Sequence, residues 1–443
     1  MKATPLWSLW QAVLLSVALG FTQRGKQRFV EWATGLALNA EEHTITQSLV
    51  ALDRPQDWKA LESFAEYGSW DVPFLQWALA RRCERLDNRL WHGYRVWGGD
   101  DTKVHRSSKG VWGACTFHDY SARCPNRAAT VRAHNWVVTG ALLPLAAQPG
   151  LFLPTAGQLY FRKSQLPDPQ KGPPISFRTK CQLLVGLLRD HAKACPGKNM
   201  GVFDGAYARA TVVRPLVKPE TADLPRVEVL TRLRHDSALF ALPPSQRKKG
   251  QRGPMPKWGK RLAAPGQGGR WPGQWQEGAE FIYGRQRDVR YKEVLCLWRV
   301  MGPDVTVKAV VAEVEGYKER FTLVCSATEL SGLQIVELFC ARFRQEDAFR
   351  DLKQRLGWEE CRAWTRNPIE RTTQALFTTM TAMRLLQSEL QEAQGDGWWL
   401  HPPWNPNKSR PSILDVQRLL RRHGEEIRRG LADWLANEGD TPP

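Results

Sequence analysis

The stretch FCARFRQEDAFRDLK, from Phe339 to Lys353, gathers Arg342, Arg344, Arg350 and Lys353 around one glutamate, Glu346. At about 100° per residue, Phe339, Arg342, Glu346, Arg350 and Lys353 fall on one face of a helix. Leu338, Ala341, Ala348, Phe349, Leu352 and Leu356 form the neighbouring apolar stripe. A plain surface helix would use Arg342–Glu346 and Glu346–Arg350 as i,i+4 pairs worth about 0.2–0.5 kcal/mol each. A phosphate-holding site would use the same glutamate as a metal ligand. Two further carboxylates bear on the choice. Asp204 ends the apolar strand MGVF and precedes Gly205, Ala206 and Tyr207, and Asp100 and Asp101 end YRVWGG. Each alone reads as a turn or cap residue. Together, carboxylates from two strand ends and a helix suit two Mg²⁺ ions, hard cations that take oxygen ligands and phosphate. Such a pair activates a water or a 3′-hydroxyl and stabilises the leaving oxygen of an in-line displacement. Neighbouring Arg and Lys grip the non-reacting phosphates.

The elements that must position these residues follow from hydrophobic period. Residues 1–90 read as helical, broken at Pro55. From about residue 93 the period changes. YRVWGGDDTKV, GVWGACTFHDY and HNWVVTGALLPL read as three successive strands, and SFRTKCQLLVGLLRDHAKAC as an amphipathic helix. NMGVFDGAYAR is a buried strand ending in a turn, and RVEVLTRLRHDSALFAL another long strand. That order predicts a mixed α/β, RNase-H-like core over residues 91–240 and 331–395. In such a sheet the first and fourth strands are neighbours, so Asp100 and Asp204 would meet. Residues 241–330 read as a mostly β insertion. It contains a Gly/Pro-rich cationic loop, 245–275, with Arg247, Lys248, Lys249, Arg252, Lys257, Lys260 and Arg261. Its charge of one sign predicts a flexible arm that tracks phosphates; a solvated linker is the competing reading. Residues 332–355 and the PIERTTQ segment read as single long helices, and a Trp/Pro linker and basic helix fill 396–443.

Lys and Arg outnumber Asp and Glu by 63 to 45 in the 443 residues, a net charge of +18 that implies a polyanionic partner, nucleic acid before membrane. Nine scattered cysteines without a CxxC pair exclude a disulfide framework and a zinc ribbon. The opening MKATPLWSLWQAVLLSVALG has signal-peptide features. The charge, the free cysteines and helical patterning through RFVEWATGLAL favour a buried first helix instead.

The motifs resemble the DDE transposases of bacterial insertion sequences, in the branch with a β insertion in an RNase-H-like core. That branch carries Tyr-x2-Arg-x3-Glu-x6-Lys, and here Phe339, Arg342, Glu346 and Lys353 hold its spacing. GVFDGAYAR resembles the second-aspartate motif and GGDDTKV the first, over a resemblance covering roughly residues 20–395. The resemblance implies that Asp100, Asp204 and Glu346 bind two Mg²⁺, with Mn²⁺ able to substitute. Its Asp-x-Thr form selects Asp100, with Asp101 held in reserve. Arg342, Lys353, Arg350 and the ring of Phe339 would lie at DNA phosphates, without the tyrosine hydroxyl of the usual signature. Phe321 and Trp298, on predicted insertion strands, are candidates to stack a flipped base, with core packing as the alternative. The implied activity is cut-and-paste transposition: cleavage at the element's ends, then strand transfer. The implied partners are double-stranded DNA at terminal inverted repeats and target, and a second copy of the chain through the C-terminal helices. The expected setting is the bacterial cytoplasm, at the nucleoid, with no membrane partner. The rivals are a nuclease of the same fold that does not join ends, an inactive DNA-binding descendant, and an exported or membrane-surface protein.

Overall fold

The computed structural model describes residues 5–86, 90–119, 129–145, 148–166, 174–246, 253–283, 285–406, 408 and 410–439. Arg247, Lys248, Lys249 and Arg252 of the cationic loop lie outside them. Among the described residues eleven strands form one mixed sheet. β1 (Arg95–His105) is antiparallel to β3 (Thr130–Leu145) and parallel to β5 (Asn199–Phe203), which is parallel to β6 (Val227–Arg232). The short β2 (Cys115–His118) and the long β4 (Gln148–Tyr160) both pair with β3. This is the RNase-H-like arrangement expected, inside a mixed α/β chain with helical flanks.

β4, the third long strand of the core, escaped the sequence reading because Pro154 and Gly157 interrupt it. Pairing shifts register there: Thr139 faces Ala156 and Gly140 faces Pro154, so the proline sits at a bulge where a missing N–H is tolerated. The strand expected through RVEVLTRLRHDSALFAL also differs. β6 stops at Arg232, and the chain turns before the two-residue β7 (Leu239–Phe240).

Beyond β6 the same sheet continues. β11 (Phe321–Cys325) pairs with β6, β10 (Thr306–Val314) with β11, and β9 (Arg285–Trp298) with β10. β7 and β8 (Gln276–Ile282) both join β9. The latter half of the cationic loop is docked rather than loose. Ala241 N–H donates to Lys260 C=O at 2.8 Å and Leu262 N–H to Leu239 C=O at 2.9 Å, while Lys257, Lys260 and Arg261 stay exposed. Trp271 anchors the segment, buried with its Nε1 donating to Ala263 C=O at 2.8 Å.

The sheet is covered on both faces, as parallel strands require. Strand alternation divides the residues between two cores. Val96, Met200, Val202 and Leu230 pack with α8 (Gly332–Ala341), α9 (Arg344–Arg355) and α10 (Arg366–Gln394). Trp97, Phe203 and Val229 pack with α6 (Lys180–Ala194) and α7 (Ala210–Val217). Five N-terminal helices, α1 (Leu6–Val17), α2 (Gln23–Leu38), α3 (Ile45–Val50), α4 (Trp58–Tyr67) and α5 (Val72–Leu86), build on the α10 side. Trp10, Leu14 and Val17 make α1 part of that core, fully buried. No helix of the described residues is long and apolar enough to cross a membrane. The predicted basic C-terminal helix is two, α11 (Ile413–Arg422) and α12 (Gly424–Gly439). Their apolar residues Ile413, Val416, Leu420, Ile427 and Leu431 are buried against α1, α2 and α10 of the same chain, so this stripe is already spent. The eight cysteines among the described residues are all free.

Candidate active site

The alternation that sorts Val96 from Trp97 continues into the carboxylates. Gly98 and Asp100 face α9; Gly99 and Asp101 face α6. Asp100 lies within β1, which runs on to His105, rather than at a strand end. It is one step beyond Gly99, the last β1 residue paired with β5, and Asp204 is one step beyond Gly99's partner Phe203. The two aspartates therefore stand at matching positions on adjacent parallel strands, and the charge of Asp204 is felt at Asp100.

The glycine pair lets both helices approach. A Cβ at Gly98 would lie 2.9 Å from the Phe152 ring and 3.1 Å from Gln345 Oε1, and one at Gly99 would overlap Leu184 of α6. Gln345 is fully buried, with Nε2 donating to Val138 C=O at 3.4 Å. It seats the first turn of α9 on the sheet, and its neighbour Glu346 is thereby carried to the site.

The predicted continuous helix over 332–355 is interrupted. At Arg342 and Phe343 the bonds shorten to i,i+3, with Gln345 N–H to Arg342 C=O at 2.9 Å and Glu346 N–H to Phe343 C=O at 3.0 Å. The tight turn falls at the residue that reaches β1. One nitrogen of the Arg342 guanidinium lies 3.3 Å from Asp100 Oδ2 and the other 3.3 Å from Glu346 Oε1. Asp100, Glu346 and Arg342 are thus brought together, with Asp204 beside Asp100. The Phe339 ring is buried, 5.6 Å from the same guanidinium, so ring packing survives where the hydroxyl is absent. Burial pushes the Asp100 carboxyl up to about 7; Arg342 opposes this, while Asp101 and Asp204 add to it.

The other cations of the expected face are placed elsewhere. Lys353 Nζ donates to Lys103 C=O at 2.6 Å near the end of β1 and lies 3.8 Å from Glu359. Arg350 pairs at 2.8 Å with Asp347, which Arg344 also holds at 2.7 Å. Trp298 is fully buried and Phe321 nearly so, both within the core.

Asp101 has a different occupation. Its Oδ1 accepts from the Tyr207 hydroxyl at 2.8 Å and its Oδ2 from Lys180 Nζ at 2.5 Å, on the α6 face. Burial and the Asp101 charge push the Tyr207 hydroxyl up, which keeps it a donor. Tyr207 closes the short turn that begins at Asp204, so this contact ties that turn to β1. The pleat turns Asp100 toward Arg342 and Asp101 toward Tyr207 and Lys180. Sequence reasoning did not assign Tyr207 or Lys180; the Asp-Gly-x-Tyr spacing was the available signal for Tyr207. Tyr207→Phe deletes one hydrogen bond to a charged group, and we expect it to lower the unfolding free energy by about 1.5–3 kcal/mol in a urea titration. An unchanged midpoint would show that Lys180 alone secures Asp101.

Three carboxylates with oxygen donors only have the chemistry that suits a hard divalent cation. Among the described residues no group of three His, Cys, Asp or Glu is already closed around a single point. Arg342 stands between Asp100 and Glu346 as their counter-charge. Comparison with known families matches residues 18–300 to the family described as DDE superfamily endonuclease. The match takes in Asp100 and Asp204 and ends before Glu346. No curated protein matches the chain.

Proposed function

This chain belongs to the DDE superfamily endonucleases, and from that premise we propose that it is a transposase that cuts DNA at the ends of a mobile element and transfers the freed strand. The observation that carries this reading is the register match of Asp100 with Asp204, joined through Arg342 to Glu346. Asp100, Asp204 and Glu346 would hold the divalent ions, Mg²⁺ or Mn²⁺. Bound there, such ions supply an activated attacking oxygen and charge relief on the leaving oxygen.

The chain's own residues supply the rest. Asp100, whose carboxyl is pushed up to about 7 by burial, would ligate as the carboxylate. Arg342, once drawn off the carboxylates, is a forked donor suited to a phosphate. In the first step a water oxygen attacks phosphorus, the P–O3′ bond breaks and a 3′-hydroxyl is left. In the second that hydroxyl attacks the phosphorus of another phosphodiester, whose own P–O3′ bond breaks, so the strands join and a new 3′-hydroxyl leaves. The excess of cations predicts DNA binding that weakens steeply with salt. Helical residues 1–90 and the exposed Lys257, Lys260 and Arg261 are the proposed readers of the inverted repeats. Pairing of two ends would bring two copies together through surfaces other than the buried stripe of α11 and α12. The bacterial cytoplasm, at the nucleoid, is the proposed setting.

The test incubates the protein with Mg²⁺ or Mn²⁺ and duplexes carrying the flanking inverted repeats, then adds a second duplex. We expect metal-dependent nicks at the element ends and joined products. Nicks without joined products would favour a nuclease that does not transfer strands; binding without nicks would favour the inactive DNA-binding descendant.

A further inference from the structure

The row begun by Asp100 and Asp204 has a third member. Phe203 of β5 pairs with Thr231 of β6, so Arg232 stands one step beyond, on the next parallel strand. Alternation puts it on the face of Leu230, which is the face of Asp100. Asp204 and Arg232 open into a cleft of about 550 Å³ that Arg234, Arg320 and Gly266 of the docked cationic segment also line. Glu319 also lines it.

Arg232 and Arg234 are held lightly. Arg232 pairs at 3.2 Å with Glu319, whose side chain is 82% exposed, and Arg234 at 3.2 Å with the exposed Asp236. Arg320 pairs with Glu313 at 2.6 Å and lies 5.9 Å from the Trp275 ring, which Arg290 and Lys292 also approach. The exposed pairs of Arg232 and Arg234 are weak and exchange readily for another anion, whereas Arg320 gives Glu313 two N–H groups, at 2.6 and 2.7 Å. The cations of the Glu346 helix differ. Arg342 is 12% exposed and bound to two carboxylates, and Lys353 is bound to the β1 backbone.

We propose that the sugar-phosphate backbone of the DNA substrate runs through this cleft on the insertion side of Asp204, held by Arg232, Arg234 and Arg320. The assignment rests on the endonuclease reading and adds the direction in which the strand leaves the site. Arg232, adjacent to Asp204 in the row, takes the phosphate next to the cleaved one. Arg320 and Arg234 take those further out, toward Lys260 and Arg261.

Salt dependence tests it. The logarithm of the binding constant for a random-sequence duplex falls with log salt by about 0.9 per phosphate neutralised. The Arg232→Gln/Arg234→Gln/Arg320→Gln protein should therefore show a slope shallower than wild type by about 2 to 3. The Arg→Lys triple variant keeps the charges and should restore the wild-type slope, which separates lost contacts from lost folding. Wild type with a steep slope and a Gln variant with the same slope would overturn the cleft assignment alone. Wild type that binds no duplex would overturn the endonuclease reading and this assignment with it.

Discussion

Glu346→Gln is expected to abolish DNA cleavage while DNA binding stays at the wild-type level. Glutamine keeps the side chain's length and an oxygen that can accept from Arg342, the one hydrogen-bond partner of the Glu346 carboxylate among the described residues. The side chain is 49% exposed, so the fold does not depend on its charge. What is lost is a negative oxygen donor. Disturbing residues that merely support metal ligands costs about 10–100-fold, so removing a ligand should cost more than about 100-fold in cleavage rate. Single-turnover cleavage of an end-bearing duplex, with binding followed by electrophoretic mobility, reads both quantities. A variant that cleaves at the wild-type rate would make the Arg342–Glu346 pair an ordinary helix contact and leave the site to the two aspartates.

The second large effect concerns Asp100→Asn and pH. The Asp100 carboxyl is pushed up from an ordinary 3.8 to about 7, chiefly by burial. The folded chain therefore holds this proton more tightly than the unfolded chain. Its contribution favours the native state at low pH and is lost as pH rises from about 4 through about 7. Each unit of that window is worth about 1.4 kcal/mol at most. The side chain is 26% exposed and water reaches it, so a total of about 2–4 kcal/mol is the scale expected. Asparagine does not titrate. In metal-free buffer, the stability of Asp100→Asn relative to wild type should therefore rise between pH 5 and pH 8, read as the shift in urea midpoint. Mg²⁺ at pH 8 should then stabilise wild type and leave the variant unmoved. Parallel pH curves for the two proteins would show that Asp100 ionises normally and bears no unusual electrostatic strain.

Much of this candidate site is legible in the sequence. The apolar run before Asp204 and the Gly-Gly before Asp100 mark strands that lead into the carboxylates, and period-2 alternation separates Asp100 from Asp101. Those are local signals. The contact of Arg342 with Asp100 spans 242 residues, and no helical period on one segment can reveal it; the period showed only the Arg342–Glu346 half. The interruption at Arg342 and Phe343 was hidden for a related reason, because both residues keep helical backbone angles while their hydrogen bonds shorten. β4 was hidden by Pro154, a strand breaker made harmless by a bulge that exists only once β3 is beside it. Arg232 was passed over because its importance is positional: it takes a register fixed by two parallel strands, not by any neighbour in sequence.

The pairing of β6 with β11 also sets a clock. Leu230 to Arg232 bond to Leu323 to Cys325, so most of a hundred residues must be synthesised and folded before β6 gains its second neighbour. Glu346 follows later still. Pairings between segments so distant in the chain close a large loop before they are rewarded, and they form slowly. A ribosome-bound or prematurely ended chain can therefore own both aspartates and the cationic surface while lacking the third carboxylate. If Glu346 is the third metal carboxylate, such a chain would be drawn to polyanions before it could cut them.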